Sequence, residues 1–233
     1  MKAEHLLAGH ILLVDKPLDW TSFQAVNKLK YKLKREFDLP KKFKIGHAGT
    51  LDPRATGLLI VCTGKFTKKI PEIQDTPKEY LTEIKIGVQT ESYDTEKPEI
   101  LHQDSSQITD SEIIAALEKF VGEIDQKPPV FSAIKIDGNR AYDLARKGED
   151  IEMKSRKTTV HYIRDIEIER PFVRFTVGCS KGTYIRSLAH DIGQELKVGA
   201  YLTNLRRTKI GEYSVQDAKK EYLENDFRFA EEK

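Results

Sequence analysis

The residues best suited to chemistry fall in one twelve-residue stretch, Gly46-His-Ala-Gly-Thr-Leu-Asp-Pro-Arg-Ala-Thr-Gly57, which holds three glycines and a proline. Such punctuation just before a hydrophobic run makes a tight, shaped loop at the end of a strand. Asp52 stands at its apex, with its backbone restricted by the following Pro53. A carboxylate presented there can serve as nucleophile or base, or it can close an Asx-type turn by bonding its own backbone, and the spacing leaves both open. Other chemistries have less support. Neither a G-x-G-x-x-G fingerprint nor a G-x-x-x-x-G-K-[ST] loop occurs, which removes dinucleotides and nucleoside triphosphates as first choices. The two cysteines, Cys62 and Cys179, form no Cys-x-x-Cys pair and the histidines are scattered, so a metal site is not expected. An enzyme built this way works with side chains alone, without metal or cofactor.

The loop has to be positioned by regular elements. His10 to Val14 reads as a first strand, followed by the Asp15-Lys16-Pro17 turn. Thr21 and Gln24 have capping-box spacing, and Phe23, Val26, Leu29, Leu33 and Phe37 recur at three and four residues, which predicts a helix over 22–37. Leu58 to Cys62 reads as a buried strand and Glu79 to Gly87 as an alternating one. Thr109 and Glu112 cap a second helix, two strands are expected around Val130 to Asp137, and a short helix is expected from Asn139 to Lys147, closed by Gly148. Thr158 to Glu169 and Phe172 to Cys179 form a hairpin turning at Arg170-Pro171, and a third long helix covers about Tyr184 to Leu196. Strands of mixed length with irregular helical insertions predict an α+β fold around a mixed, mainly antiparallel sheet flanked by helices and loops.

The 233 residues include 39 Lys+Arg and 37 Asp+Glu, a net charge of only +2 with 33% of positions charged. That describes a globular chain with one substantial core. No run approaches the roughly 18 apolar residues of a membrane span, and Met1 to Lys16 lacks a signal-peptide pattern, so no membrane and a cytoplasmic location are expected. By segment the charge is uneven. Lys28 to Lys44 carries eight basic and two acidic residues, while Glu91 to Glu112 carries seven acids against Lys97 and reads as a solvated connection. Lys197 to Lys209 adds Lys197, Arg206, Arg207 and Lys209 with no acid. Basic faces on a balanced protein can hold a polyanion.

The 46–57 segment resembles the catalytic loop of the TruB family of tRNA pseudouridine synthases, whose pattern is G-x-L-D-P-x-A-x-G, and every fixed position is present. The likeness continues through Asp15-Lys16-Pro17, Thr21-Ser22, Lys78-x-Tyr80 and Gly87-x-x-Thr90-x-Ser92-x-Asp94. It extends through Pro128-Pro129-Val-Phe-Ser132-Ala133-x-Lys135-x-x-Gly138-x-Arg140-Ala141-Tyr142, Cys179-Ser-Lys-Gly-Thr-Tyr-Ile-Arg186 and Gly199-Ala-Tyr-Leu-Thr-Asn-Leu-Arg-Arg207.

The resemblance implies the pseudouridine synthase fold and isomerisation of uridine to pseudouridine at position 55 in the T-loop of tRNA, by base flipping, glycosidic cleavage and reattachment through C5. It makes Asp52 the catalytic carboxylate, Arg186 the guanidinium that offsets and positions it, and Tyr80 the aromatic that stacks on the uracil and helps remove the C5 proton. His47, Tyr184 and Leu205 match positions beside the target base. Lys28, Lys30, Lys41, Lys42, Lys44, Arg206 and Arg207 are then candidates for phosphate contacts on the tRNA T-arm. Longer relatives carry a carboxy-terminal PUA domain. The expectation here is a catalytic domain over 1–213, a short charged tail or helix over 214–233, no PUA domain, and a monomer. The alternatives are an RNA-binding or tRNA-folding protein with secondary catalysis, and a synthase acting on another RNA.

Overall fold

A computed structural model describes residues 2–132, 135–136, 139–142, 153–225 and 227–229. The chain forms two compact units, Met1–Tyr80 with Arg206–Lys233, and Leu81–Leu205. Strands Lys78–Ile86 and Ala200–Ile210 each contribute residues to both.

The first unit opens with a short helix α1 (Ala3–Ala8), then strand β1 (Ile11–Lys16) and helix α2 (Ser22–Glu36). The expected capping box is present: Thr21 Oγ1 accepts the Gln24 N–H at 3.0 Å and Gln24 Oε1 accepts the Thr21 N–H at 2.8 Å. Strands β2 (Ile45–His47) and β3 (Thr56–Thr63) bracket the glycine-rich loop, and a 3-10 turn (Gly64–Lys69) leads into α3 (Ile70–Asp75). β3 runs antiparallel to β1, with Ile11 opposite Cys62 and Lys16 opposite Gly57, and antiparallel to β2, with His47 opposite Val61. The start of β3 also pairs in parallel with β12 (Ala200–Ile210), Arg206 opposite Thr56 and Arg207 opposite Gly57. β12 turns back into β13 (Tyr213–Ser214).

β3 alternates its side chains between two cores, as a strand buried on both faces must. Leu59 and Val61 face Leu12, Val14 and the apolar stripe of α2, Ala25, Val26, Leu29 and Leu33. Leu58, Ile60 and Cys62 face Ala48, Ile73 and Ile210. Residues 214–229, expected as a charged tail or short helix, contain 3-10 turns at Val215–Asp217 and Glu221–Leu223. Leu223 and Phe229 are buried in the α2 core beside Phe37, Leu39 and Tyr222.

The second unit holds the rest of β4 (Lys78–Ile86), a small hairpin of β5 (Val88–Thr90) and β6 (Glu99–His102), helix α4 (Asp110–Glu118), and β7 (Gly122–Gln126). The Thr109–Glu112 capping box forms as expected. β10 (Arg156–Glu169) and β11 (Phe172–Cys179) make the expected hairpin, and β10 pairs on its other edge with β7. Between them stand the two-residue strands β8 (Lys135–Ile136) and β9 (Asn139–Arg140), which pair with each other. The short helix expected from Asn139 therefore does not start there, and residues 143–148 of that expectation lie outside the described residues. Helix α5 (Ile185–Glu195) closes the unit, with Ile185, Leu188 and Ile192 buried. The fold is α+β; β3 pairs antiparallel with β1 and β2 and parallel with β12, while β10 pairs antiparallel with both β11 and β7.

Candidate functional site

In the first unit, residues 48–55 form the loop between β2 and β3, and Asp52 is half-buried on it. Its turn is closed by the main chain, since the Ala55 N–H donates to the Asp52 carbonyl oxygen at 3.1 Å. The loop is fastened at several points. Ser22 Oγ donates to the Leu51 carbonyl at 3.0 Å and accepts the Leu51 N–H at 2.8 Å, and the Asp19 N–H donates to the Pro53 carbonyl at 2.9 Å.

Two buried cations lie close by. Lys16 has no exposed surface, and its ammonium donates to the carbonyls of Pro17 at 2.8 Å and Trp20 at 2.7 Å. Burial lowers it to about 8; the charge on Asp52 opposes that shift and the charge on Arg207 adds to it. Arg207 is 2% exposed and donates to the carbonyls of Leu58 at 2.8 Å and of Thr50 and Gly49 at 3.2 Å each. The guanidinium expected as a phosphate contact is thus turned inward, onto main-chain carbonyls. Arg206, its neighbour on β12, points the other way and forms a two-pronged pair with Asp15, at 3.0 and 2.7 Å. The period of two along a strand sends the members of an Arg-Arg dipeptide to opposite faces, so the pair never formed one basic patch.

His47 sits at the end of β2, half-buried. Burial pushes its imidazole below its ordinary value against a hydrogen bond to the Gly49 backbone, and the Arg207 charge adds to the lowering. Tyr80 is buried on β4. Its neighbour Glu79 takes the Thr208 hydroxyl at 2.8 Å and lies 3.5 Å from Lys209. Of the expected phosphate-binding lysines, Lys41, Lys42 and Lys44 are exposed and Lys30 partly so, while Lys28 donates to the Asn225 side chain. Lys32, within the same basic run, is 3% exposed. It donates to the carbonyls of Tyr222 and Glu224 and stands over the rings of Phe227 and Phe229.

The second unit carries Tyr184, Arg186 and Leu205. Gln126 brackets Tyr184 by accepting its N–H at 2.7 Å and donating to its carbonyl at 3.0 Å, just where α5 begins. Arg186, 5% exposed, donates to the Phe131 carbonyl at 3.1 Å, and its Nε lies 3.6 Å from Asp94 Oδ2. Asp94 is itself fixed by the Ser92 hydroxyl at 2.6 Å and the Glu96 N–H at 2.9 Å. A buried guanidinium needs such a compensating carboxylate. The 91–112 stretch is thus not wholly solvated: Ser92 and Asp94 are buried, and the rest supplies β6 and the start of α4. In the sequence Asp94 closes the Gly87-x-x-Thr90-x-Ser92-x-Asp94 motif, where nothing local marks it as the partner of an arginine ninety-two positions on. Tyr93, at positive φ, stacks on His190 of α5 at 4.0 Å, and burial raises the adjacent Asp191 to about 6. Leu205 is buried on β12.

Among the described residues no group of three or more His, Cys, Asp or Glu could hold a metal ion, and no helix is long and apolar enough to cross a membrane. Cys62 and Cys179 are both buried and form no disulfide.

Residues 34–185 match the family model described as TruB family pseudouridylate synthase, N-terminal domain. Residues 186–233 match that of the tRNA pseudouridylate synthase B C-terminal domain. The Flavobacterium johnsoniae protein named tRNA pseudouridine synthase B is 57% identical over 94% of this chain and 95% of its own length. The Phocaeicola vulgatus protein of the same name is 50% identical over 90% of this chain and 88% of its own. Among solved structures, a chain of a Cbf5-Nop10-Gar1 complex matches with TM-score 0.66 and 31% identity over 91% of this chain and 53% of that one. A chain of an H/ACA RNP bound to a substrate RNA containing 2′-deoxyuridine matches with TM-score 0.63 and 29% identity over 91% and 50%. This chain spans about half the length of those solved chains.

Proposed function

Because this chain belongs to the TruB family of pseudouridine synthases, we propose that it isomerises uridine to pseudouridine in tRNA, at position 55 of the T-loop. The observation that carries the reading is Asp52, on a loop complete in every fixed position of the family pattern and fastened through its main chain. A uridine stacked in folded RNA offers neither C1′ nor C5 to a side chain, so the base must first be flipped out. The N1–C1′ bond then breaks, the uracil turns, a C5–C1′ bond forms, the C5 proton leaves and N1 regains a proton. No electrons are exchanged with a cofactor. As the base departs, the sugar becomes electron-poor, and the Asp52 carboxylate serves there by adding to C1′ or removing a sugar proton.

Arg186 is assigned the role of the guanidinium that positions the carboxylate, with Asp94 holding Arg186. Tyr80 is assigned to the uracil face and C5 proton, and His47, Tyr184 and Leu205 to the rim of the flipped base. Lys41, Lys42 and Lys44, being exposed, are the phosphate contacts of choice. The test is release of tritium from tRNA carrying [5-³H]uridine. Asp52→Asn is expected to abolish release from a T-arm stem-loop while leaving binding within about twofold. Undiminished release would remove Asp52 from the mechanism and put the chemistry on another group, whereas binding of tRNA by wild type with no release would favour an RNA-binding role. Mapping pseudouridine across cellular RNAs in a deletion strain checks position 55 against other targets.

A further inference from the structure

The loop that bears Asp52 is gripped from two sides at residues that carry no chemistry of their own. On one side, the single hydroxyl of Ser22, 3% exposed at the start of α2, satisfies both main-chain polar groups of Leu51, the residue immediately before Asp52. On the other, three nitrogens of the Arg207 guanidinium take the carbonyls of Gly49, Thr50 and Leu58, which bracket the entry to the loop and the start of β3. Gly57 makes this second grip possible. Its φ is +103°, and a Cβ there would stand 2.3 Å from the Arg207 carbonyl oxygen. β3 and β12 therefore approach too closely for any side chain at 57, which places the Arg207 side chain against the loop.

We propose that Ser22 and Arg207 are positioning residues: together they lock the main chain at Gly49–Leu51 and so fix where the Asp52 carboxylate stands. The inference rests on the reading of Asp52 as the catalytic carboxylate. Its physical content is that a displaced catalytic group costs about 10²-fold in rate for about 1 Å of misplacement. Neither grip uses the Asp52 side chain, so both act on orientation alone. Lysine at 207 offers one nitrogen where the planar guanidinium offers three to three acceptors in fixed directions, and it should not substitute.

The test compares Ser22→Ala, Ser22→Thr, Arg207→Lys and Asp52→Asn by single-turnover tritium release, tRNA dissociation constant and thermal melting. Ser22→Ala is expected to slow release about tenfold and Arg207→Lys about a hundredfold, each with tRNA affinity within about twofold of the parent. Ser22→Thr keeps the hydroxyl and recovers most of the rate. If Asp52→Asn is dead while Ser22→Ala and Arg207→Lys keep the parental rate, or lose rate only in proportion to tRNA affinity, the positioning role is wrong and the Asp52 assignment stands. If Asp52→Asn keeps its rate, the underlying reading fails instead. Should Arg207→Lys not fold, the Ser22 pair still decides, because release is measured well below each variant's melting midpoint, where a rate lost with Ala and regained with Thr reports the loop and not the folded fraction.

Discussion

Lys16 is a buried cation that feels the carboxylates of Asp52 and Asp19 and the opposing charge of Arg207. Below pH 8 both the folded and unfolded chains carry its proton, and the folded chain bears the full cost of burying the charge. Between about 8, its folded value, and its ordinary value of 10.5, the unfolded chain binds the proton and the folded chain does not. Stability therefore rises with pH across that window. Denaturation midpoints of wild type should gain on those of Lys16→Met from pH 8 to 10.5; a constant difference would mean that the ammonium is not desolvated. The motif around Asp52 was legible from composition and spacing. The work of Arg207 was not: an arginine beside another arginine reads as surface charge, and only the pairing of β12 with β3 turns it toward carbonyls.

Helix α2 was legible to within a residue, because its apolar period and its capping box are both local. Its outer charge pattern was not. Lys32, in a run of eight basic residues, lies inside a wrap of Tyr222, Phe227 and Phe229 contributed from nearly two hundred positions away. Phe229, 5% exposed, should anchor that wrap, and Phe229→Ala is expected to destabilise the protein by about 3 kcal/mol in denaturant unfolding. A loss below about 1 kcal/mol would show that the segment adds little to the α2 core. The acidic stretch was misread for the same reason. Asp94 sits among acids in sequence but beside a buried guanidinium in space, held there by Ser92 and the N–H of Glu96.

At the scale of the whole chain, a net charge of +2 conceals segments of opposite sign. The structure shortens the inventory of free cations by committing Arg206, Arg207, Lys28 and Lys32 to internal partners, while Lys41, Lys42 and Lys44 remain exposed. RNA binding should still weaken steeply with salt, because phosphate neutralisation releases counterions irrespective of net charge. Replacing Lys41, Lys42 and Lys44 by alanine should flatten the plot of log K against log salt by about 2 to 3 units of slope, at just under one per phosphate contact. An unchanged slope would move the phosphate face elsewhere on the molecule.

The sequence by itself determined the loop around Asp52, the caps of α2 and α4, the β10–β11 hairpin and the family, because each rests on local backbone chemistry or on ordered motifs. Only the tertiary structure decided which charges are surface and which are internal. Whether Arg207 meets phosphate or the carbonyls of Gly49, Thr50 and Leu58, and whether Asp94 meets water or Arg186, depends on strands and loops distant in the chain. A charged side chain names the partner it needs; long-range pairing determines which partner it finds.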